Sequence, residues 1–498
     1  MSPQSAAFGE RLGRFCRTNV EEIHPQFLDL LHTVWADGRP RPDASELARQ
    51  TGELFQSVPD GRRGHLAVLL GLLTETAESD DHGLRGSVRA GLDGYLRQLA
   101  TLREGDPSGA ALVYLLAHFP EDAARILRVA RSAALDQDDL SRLERCLAAF
   151  DPDAPAIGRT WPSPIRWALD DAERDQERRW FTALEPDAVS TFWEKDTRTL
   201  LAYMGGRACA AITTGRVLPE VPPEPGPEVH REPAGPASPP PGAHADLFRC
   251  PACGGRLARD AAMLACRSCA VDYPSRDGYL DLSGEPVGAG DQIAGNSPLY
   301  LSRYESLLRP AFLRINGTNW NGALSVADED GYLAEHVRPA DGPLLDLGAG
   351  TGRWTRVLAD RLGGERVIAF DLAAAMVGRL REVVPESLVV RGAGGRLPFG
   401  DASLGAVNCW NTVQSIERPD ATLHEVGRCL RPGGTFTMLT YRPSPDPLYR
   451  YFQRCHESCL GVTSFDQKDM EETLASAGMT VVDEYTPGTF LIVTAVRR

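Results

Sequence analysis

Residues 344–352 read Leu-Leu-Asp-Leu-Gly-Ala-Gly-Thr-Gly, and no other stretch of this chain restricts its fold as much. A short apolar run meets three glycines at alternate positions, and a helix is expected to start at Arg353-Trp354-Thr355. Absent Cβ atoms let backbone approach a ligand closely at the carboxyl end of a strand, where open α/β sheets bind their ligands. The next apolar run, Val367-Ile368-Ala369-Phe370, ends in Asp371. A carboxylate about 20 residues past such a loop can accept hydrogen bonds from both hydroxyls of a ribose. The runs SLVVRG, GAVNCWN and GTFTMLTY continue the series, with helical stretches between most of them. This alternation predicts a doubly wound, Rossmann-like α/β domain over residues 286–498.

The glycine spacing narrows the ligand. A dinucleotide fingerprint, G-x-G-x-x-G, packs a pyrophosphate on a helix N-terminus. Here the third glycine comes one residue early, at Gly352, and an acid, Asp346, precedes the loop. An acidic group there suits a ligand with a cationic ammonium or sulfonium and no phosphate. S-adenosylmethionine (SAM) is such a ligand.

A second motif lies upstream. Cys250, Cys253, Cys266 and Cys269 have the spacing C-x2-C-x12-C-x2-C. Each C-x2-C lets two thiolates point from one tight turn to one place, and two such knuckles supply four soft ligands for tetrahedral zinc. Four cysteines leave no open coordination position, so the expected zinc is structural. A redox role for either pair is the alternative. The chain has 11 cysteines, an odd number, which argues against a disulfide framework. Residues 248–285 are therefore expected to form a small zinc-ribbon-like module.

Residues 1–215 read as an all-α domain. GHLAVLLGLLTETAE, AALVYLLAHF and EDAARILRVARSAAL carry apolar residues at three- and four-residue spacing. Asp43-Ala44-Ser45-Glu46 and Asp139-Leu140-Ser141 supply start signals. Substrate recognition, partner recognition and homodimer formation are its candidate roles. Ten of the 37 prolines fall between Pro219 and Pro241. Proline fixes φ and removes a donor, so residues 216–247 read as a linker. Cleavage there is expected to give a helical fragment near 1–215 and a Cys-bearing fragment near 247–498.

The net charge of −15, from 53 Lys and Arg against 68 Asp and Glu, makes a nucleic-acid partner a low expectation. No secretory signal opens the chain, and no apolar run reaches the roughly 18 residues of a membrane span. These features predict a cytoplasmic protein with no membrane partner.

Taken in order, DLGAGTG, FDLAAAMV, LPFGDASLGAV and EVGRCLRPGGTF resemble the successive motifs of class I SAM-dependent methyltransferases, most closely the ubiquinone/menaquinone-biosynthesis branch. The resemblance covers about the last 200 residues of the chain. It implies that Asp346, Gly348, Ala349, Gly350 and Gly352 line the amino-acid end of SAM. By the same token Asp371 holds the ribose, and Leu372 and Met376 flank the adenine. Asn411, Thr412 and Gln414 would face the methyl group, and Tyr300 and Tyr304 could roof the pocket. The chain departs from the family at Gly392-Ala393-Gly394, where the family has Gly-Asp-Ala. It departs again at Leu404-Gly405 and at Gln414-Ser415. The segment CPACGGRL…CRSCAVDYPSRDGYLDL resembles the zinc module of guanine-specific rRNA methyltransferases.

Methyl transfer from a sulfonium is an in-line displacement and needs a base only when the acceptor carries a proton. Tyr441 at a strand end, Gln414, His424 and His456 are the catalytic candidates. His424 lies in ATLHEVGRCL, where a surface role is the simpler reading. His456 lies in YRYFQRCHESCL, read as an amphipathic helix in a substrate-lid insertion, with a second metal site between Cys455 and Cys459 as the alternative. The leading expectation is a SAM-dependent methyltransferase of a small molecule, in bacterial specialised metabolism. The alternatives are an rRNA or tRNA base methyltransferase and a SAM-binding protein that does not methylate.

Overall fold

A computed structural model describes residues 3–36, 38–77, 82–152, 155–167, 169–217, 244–260, 263–276, 278–283 and 303–498. The expected linker lies mostly outside the described residues, as does Tyr300. The chain divides into two compact units. One combines Met1–Val221 with Ser444–Leu460; the other combines Pro222–Pro443 with Gly461–Arg498.

Among the described residues, the regular structure of the first unit is helical apart from two-residue strands β1 (Trp35–Ala36) and β2 (Arg39–Pro40). Helix Asp60–Thr76 is buried from Gly64 to Thr74, and Ser108–Leu116 is buried throughout, which is why both read as almost continuously apolar. Helix Gln137–Leu147 starts at Asp136, whose carboxylate accepts from the N–H groups of Asp138 and Asp139, three residues before the expected signal at Asp139. The segment EDAARILRVARSAAL shortens to helix Ala123–Ala130 behind a 3-10 turn. The long helix Pro186–Thr214 opens on proline and closes on Gly215 at φ 68°.

Helix Pro447–Leu460 belongs to this unit, although the sequence places it far from the other helices. Asp446 caps it, accepting from the N–H groups of Leu448 and Tyr449 at 2.9 Å, while its other oxygen meets His24 Nε2. Phe452 lies against Gly205, where a Cβ would fall 2.1 Å from Phe452 Cε1. Its ring also meets Tyr114 edge-on at 5.5 Å. The sequence places residues 286–498 in one domain; by contacts, residues 444–460 group with the helical unit instead.

The second unit is built on one sheet, with β3 (Leu257–Asp260), β4 (Met263–Cys266), β5 (Asp272–Arg276), β6 (Tyr279–Asp281), β7 (Leu344–Leu347), β8 (Val367–Asp371), β9 (Leu388–Arg391), β10 (Leu404–Trp410), β11 (Leu430–Tyr441), β12 (Met479–Tyr485) and β13 (Phe490–Arg497). Their order is β12-β13-β11-β10-β7-β8-β9-β6-β5-β4-β3. From β7 the chain winds outward through β8 and β9, then returns to place β10 on the other side of β7. The strands β7 to β11 are parallel, and β13 and β12 are antiparallel additions. Strands β7 to β9 are almost wholly apolar because both faces are covered. Leu345, Ile368 and Val407 pack with Leu423, Val426, Met470 and Leu474 of helices Pro419–Cys429 and Gln467–Ser476. On the other face Leu344, Val367 and Ala406 pack with Leu333, Leu358, Val377 and Leu380.

The cysteine module is not a separate body. Strand β6 pairs in parallel with β9, so β3 to β6 continue the same sheet. Phe248, Cys250, Leu264 and Leu280 share one core with Phe370 and Phe399, and the rings of Phe248 and Phe399 lie 5.2 Å apart.

The helical boundary can be tested directly. Phe452→Ala should leave a cavity beside Gly205 and cost about 3–5 kcal/mol. A piece covering residues 1–217 should show faster amide exchange in helix Pro186–Thr214 than the full chain does. Equal protection would restore the boundary at 215.

Candidate functional site

The reversal of winding between β7 and β10 opens a crevice at the carboxyl ends of these strands. The glycine loop sits there. Gly348, Gly350 and Gly352 have φ of 73°, 56° and 87°, in the left-handed region that side chains disfavour. At Gly348 the demand is also steric, since a Cβ would fall 2.1 Å from Thr412 Cγ2. The loop is bonded to the next strand: Gly348 N and Ala349 N donate to Phe370 O at 2.8 and 3.1 Å. Gly350 N donates to Asp371 Oδ2 at 2.8 Å, and Ala373 N donates to Oδ1 at 2.9 Å. Burial raises the Asp371 pKa against these N–H donors.

Asp346, expected at the amino-acid end of SAM, is buried beneath the loop. Its side chain projects with Leu344 and Ala406 towards helix Arg353–Leu362 and is 2% exposed. Thr355 Oγ1 donates to one carboxylate oxygen at 2.5 Å and Asn408 Nδ2 to the other at 2.7 Å. Asp346 thus supports the loop from beneath. Burial pushes its pKa up to about 6, against the hydrogen bonds of Thr355 and Asn408. Asn408 and Thr355 went unread in the sequence, although one amide within a wholly buried strand was a signal.

Leu372 follows Asp371 and is 47% exposed, a large apolar side chain held open at the strand ends. Met376 is half-buried on helix Ala374–Val383. Asn411 follows β10 with φ 54°, rare for a residue with a Cβ. Its side chain accepts from Gln414 Nε2 at 3.0 Å and hydrogen-bonds with Tyr304, whose pKa is raised mainly by burial. Gln414 accepts in turn from Thr440 Oγ1 at 3.1 Å. With both ends of its amide engaged, Gln414 orients Asn411.

The remaining candidates separate. Tyr441 is 9% exposed and packs against Phe312 and Phe490 at ring distances of 5.8 and 5.5 Å. His424 is exposed, bonded to Asp420 O and Ser476 Oγ at 2.8 and 3.2 Å, and supports the surface reading. His456 belongs to the helical unit, where burial lowers its pKa to about 4. Among the described residues only Cys250, Cys253, Cys266 and Cys269 gather as metal-ligating groups, so the second metal site at Cys455 and Cys459 does not form.

The four sulfur atoms lie within 4.8 Å of one another, with Cys250–Cys269 at 3.5 Å and Cys253–Cys266 at 3.4 Å. Zinc–sulfur bonds of about 2.3 Å in a tetrahedron place sulfurs about 3.8 Å apart, so the donor set fits zinc. Tyr273 OH and Gly255 N add hydrogen bonds to Cys250 and Cys253 sulfur at 3.1 and 3.4 Å.

Residues 345–438 match the family described as a methyltransferase domain. An uncharacterized chloroplastic methyltransferase of Arabidopsis thaliana is 28% identical over 281 residues, 50% of this chain and 77% of its own. A malonyl-[acyl-carrier protein] O-methyltransferase of Methylococcus capsulatus is 30% identical over 152 residues, 30% of this chain and 55% of its own. A demethylmenaquinone methyltransferase of Beutenbergia cavernae is 33% identical over 120 residues, 23% of this chain and 49% of its own. The class is thereby defined: the sheet carries a class I, SAM-dependent methyltransferase domain. The protein is such an enzyme, and no described helix is long and apolar enough to cross a membrane.

The raised Asp346 pKa sets a pH dependence. The folded chain holds this proton more tightly than the unfolded chain, whose value is 3.8. Its contribution to stability should therefore fall as pH rises from about 4 to about 6, by at most about 3 kcal/mol at about 1.4 kcal/mol per pH unit. Relative to Asp346→Asn, the wild type should lose unfolding free energy across that window in denaturant titrations. A constant difference would refute the assignment.

Proposed function

We propose that this enzyme transfers the methyl group of SAM to a small-molecule acceptor, with SAM seated over Gly348–Gly352. The observation that carries the reading is the glycine loop at the point where the winding reverses, bonded through Gly350 to Asp371 and followed by exposed Leu372. Backbone of the loop meets the amino-acid end of the cofactor. The unused lone pairs of Asp371 accept from the ribose hydroxyls, and Leu372 and Met376 cover the adenine. When bound, SAM supplies an electrophilic methyl on a sulfonium; the sulfur–methyl bond breaks as the acceptor–methyl bond forms, leaving a neutral thioether.

The remaining work belongs to side chains at the end of β10. Tyr304 and Gln414 hold Asn411 in its left-handed conformation, so its position beside the loop is fixed before any ligand arrives. Preorganised polar groups of this kind orient a reaction without a further cost of ordering. Zinc at the four cysteines is structural, since the set is closed. The acceptor class is favoured by the charge of −15, and two relatives are named for malonyl-[acyl-carrier protein] and demethylmenaquinone.

Tritiated SAM incubated with metabolite extract and with total RNA should label the metabolite fraction; label confined to RNA would overturn the acceptor class. For the cofactor, Gly350→Ala adds a carbon that meets no atom beyond its chain neighbours within 3.9 Å, at a φ of 56° that costs the folded loop about 1–2 kcal/mol, so binding is compared on folded protein. Gly350→Ala and Asp371→Ala should each weaken S-adenosylhomocysteine binding in calorimetry, the latter by about 1.5–3 kcal/mol. Unchanged affinity in both would refute the pocket. Purified protein should carry about one zinc per chain, lost in Cys266→Ser. Metal analysis finding none in wild type prepared without chelator would refute the metal assignment.

A further inference from the structure

Three residues stand side by side at the ends of three parallel strands: Asp371 on β8, Arg391 on β9 and Asp281 on β6. The sequence motif marks the first as a ribose ligand and carries no signal at the other two. Asp281 comes from the cysteine module, two residues before its last described residue, Ser283. Its Oδ2 accepts from Arg391 Nη1 at 3.1 Å, and its Oδ1 accepts from Ser283 N and Oγ at 3.1 and 2.6 Å. The side chains of Arg391 and Asp281 are only 11% and 16% exposed, so solvent screens this pair less than a surface pair.

Arg391 spends a second donor on the cofactor side. Its Nε donates to Leu372 O at 3.2 Å, and the next residue, Gly392, donates its N–H to Asp371 O at 3.0 Å. The turn that presents the Asp371 carboxylate and the exposed Leu372 side chain is thus gripped from β9. The Asp371 carboxylate itself is engaged by Gly350 N and Ala373 N. A guanidinium held by Asp281 stays on the Leu372 carbonyl. Released, it could turn to the neighbouring Asp371 carboxylate and compete with a ribose for its lone pairs.

We infer that Asp281 is a positioning residue for the adenosyl end of the cofactor, acting through Arg391 on the Leu372 carbonyl, so that the cysteine module forms part of the cofactor site. The inference rests on the SAM pocket proposed above and adds to it a specific contribution from the module.

The test uses the full-length, zinc-loaded protein and two probes, S-adenosylhomocysteine and 5′-methylthioadenosine, which lacks the amino-acid end. Asp281→Ala should weaken both by the same factor, about tenfold, the low end for loss of a hydrogen bond to a charged group. Zinc content should stay at the wild-type level, and Asp281→Glu should recover part of the affinity. In the Arg391→Gln background, Asp281→Ala should add little, because the two residues act in series. Lower melting temperature with unchanged affinity for both probes, or full additivity with Arg391→Gln, would overturn the proposal. If Gly350→Ala weakens binding while Asp281→Ala does not, the pocket stands and this proposal falls. If the wild type binds neither probe, the pocket reading falls and this proposal with it.

Discussion

The Asp346 carboxylate joins the three elements that meet at the crevice. It lies on β7, takes one hydrogen bond from Asn408 on β10 and another from Thr355 on the helix that follows the loop. A buried charge with only neutral donors is costly, and the raised pKa expresses that cost. In return, β7, β10 and the helix cannot drift apart without abandoning an ion in an apolar interior. The loop above inherits that rigidity, and its amides pass it to β8 through Phe370 and Asp371.

Much of this was legible in the sequence, for a physical reason. Strands β7 to β11 are apolar runs separated mostly by helices, so the alternation itself marks them. The alternation stops at residues 479–497, where β12 and β13 follow each other without a helix, and that pair escaped the series. The strands of the cysteine module span three to five residues, too few for periodicity to speak. Asp346 was the right kind of residue in the right motif. Which way it points is set by the strand's pleat, which places 344 and 346 on the helix face. The engagement of Gln414 by both Asn411 and Thr440 is a tertiary fact with no local signal.

The cysteine module shows how a small segment can avoid the weakness of small cores. Alone, it would depend on metal for most of its stability. Here β6 pairs with β9, and Phe248 enters the apolar layer that Phe370 and Phe399 already form. The sheet therefore carries part of a task that the proposed zinc would otherwise carry alone. The module's fold and the shape of the strand ends become one mechanical problem, joined at Asp281 and Arg391.

Helix Pro447–Leu460 has a consequence for biosynthesis. The helical unit begins at the N-terminus, yet the helix that fills the space beside Gly205 is made after β7 to β11. During translation the described helices upstream of residue 215 must wait, incompletely packed, while most of the sheet emerges. A long-range contact of this kind slows folding, because the intervening loop must close before the contact rewards it. It also exposes the apolar surface around Gly205 and Tyr114 throughout that delay, and such surface is what chaperones bind and aggregates grow from. The order of synthesis and the grouping of segments into units disagree in this chain.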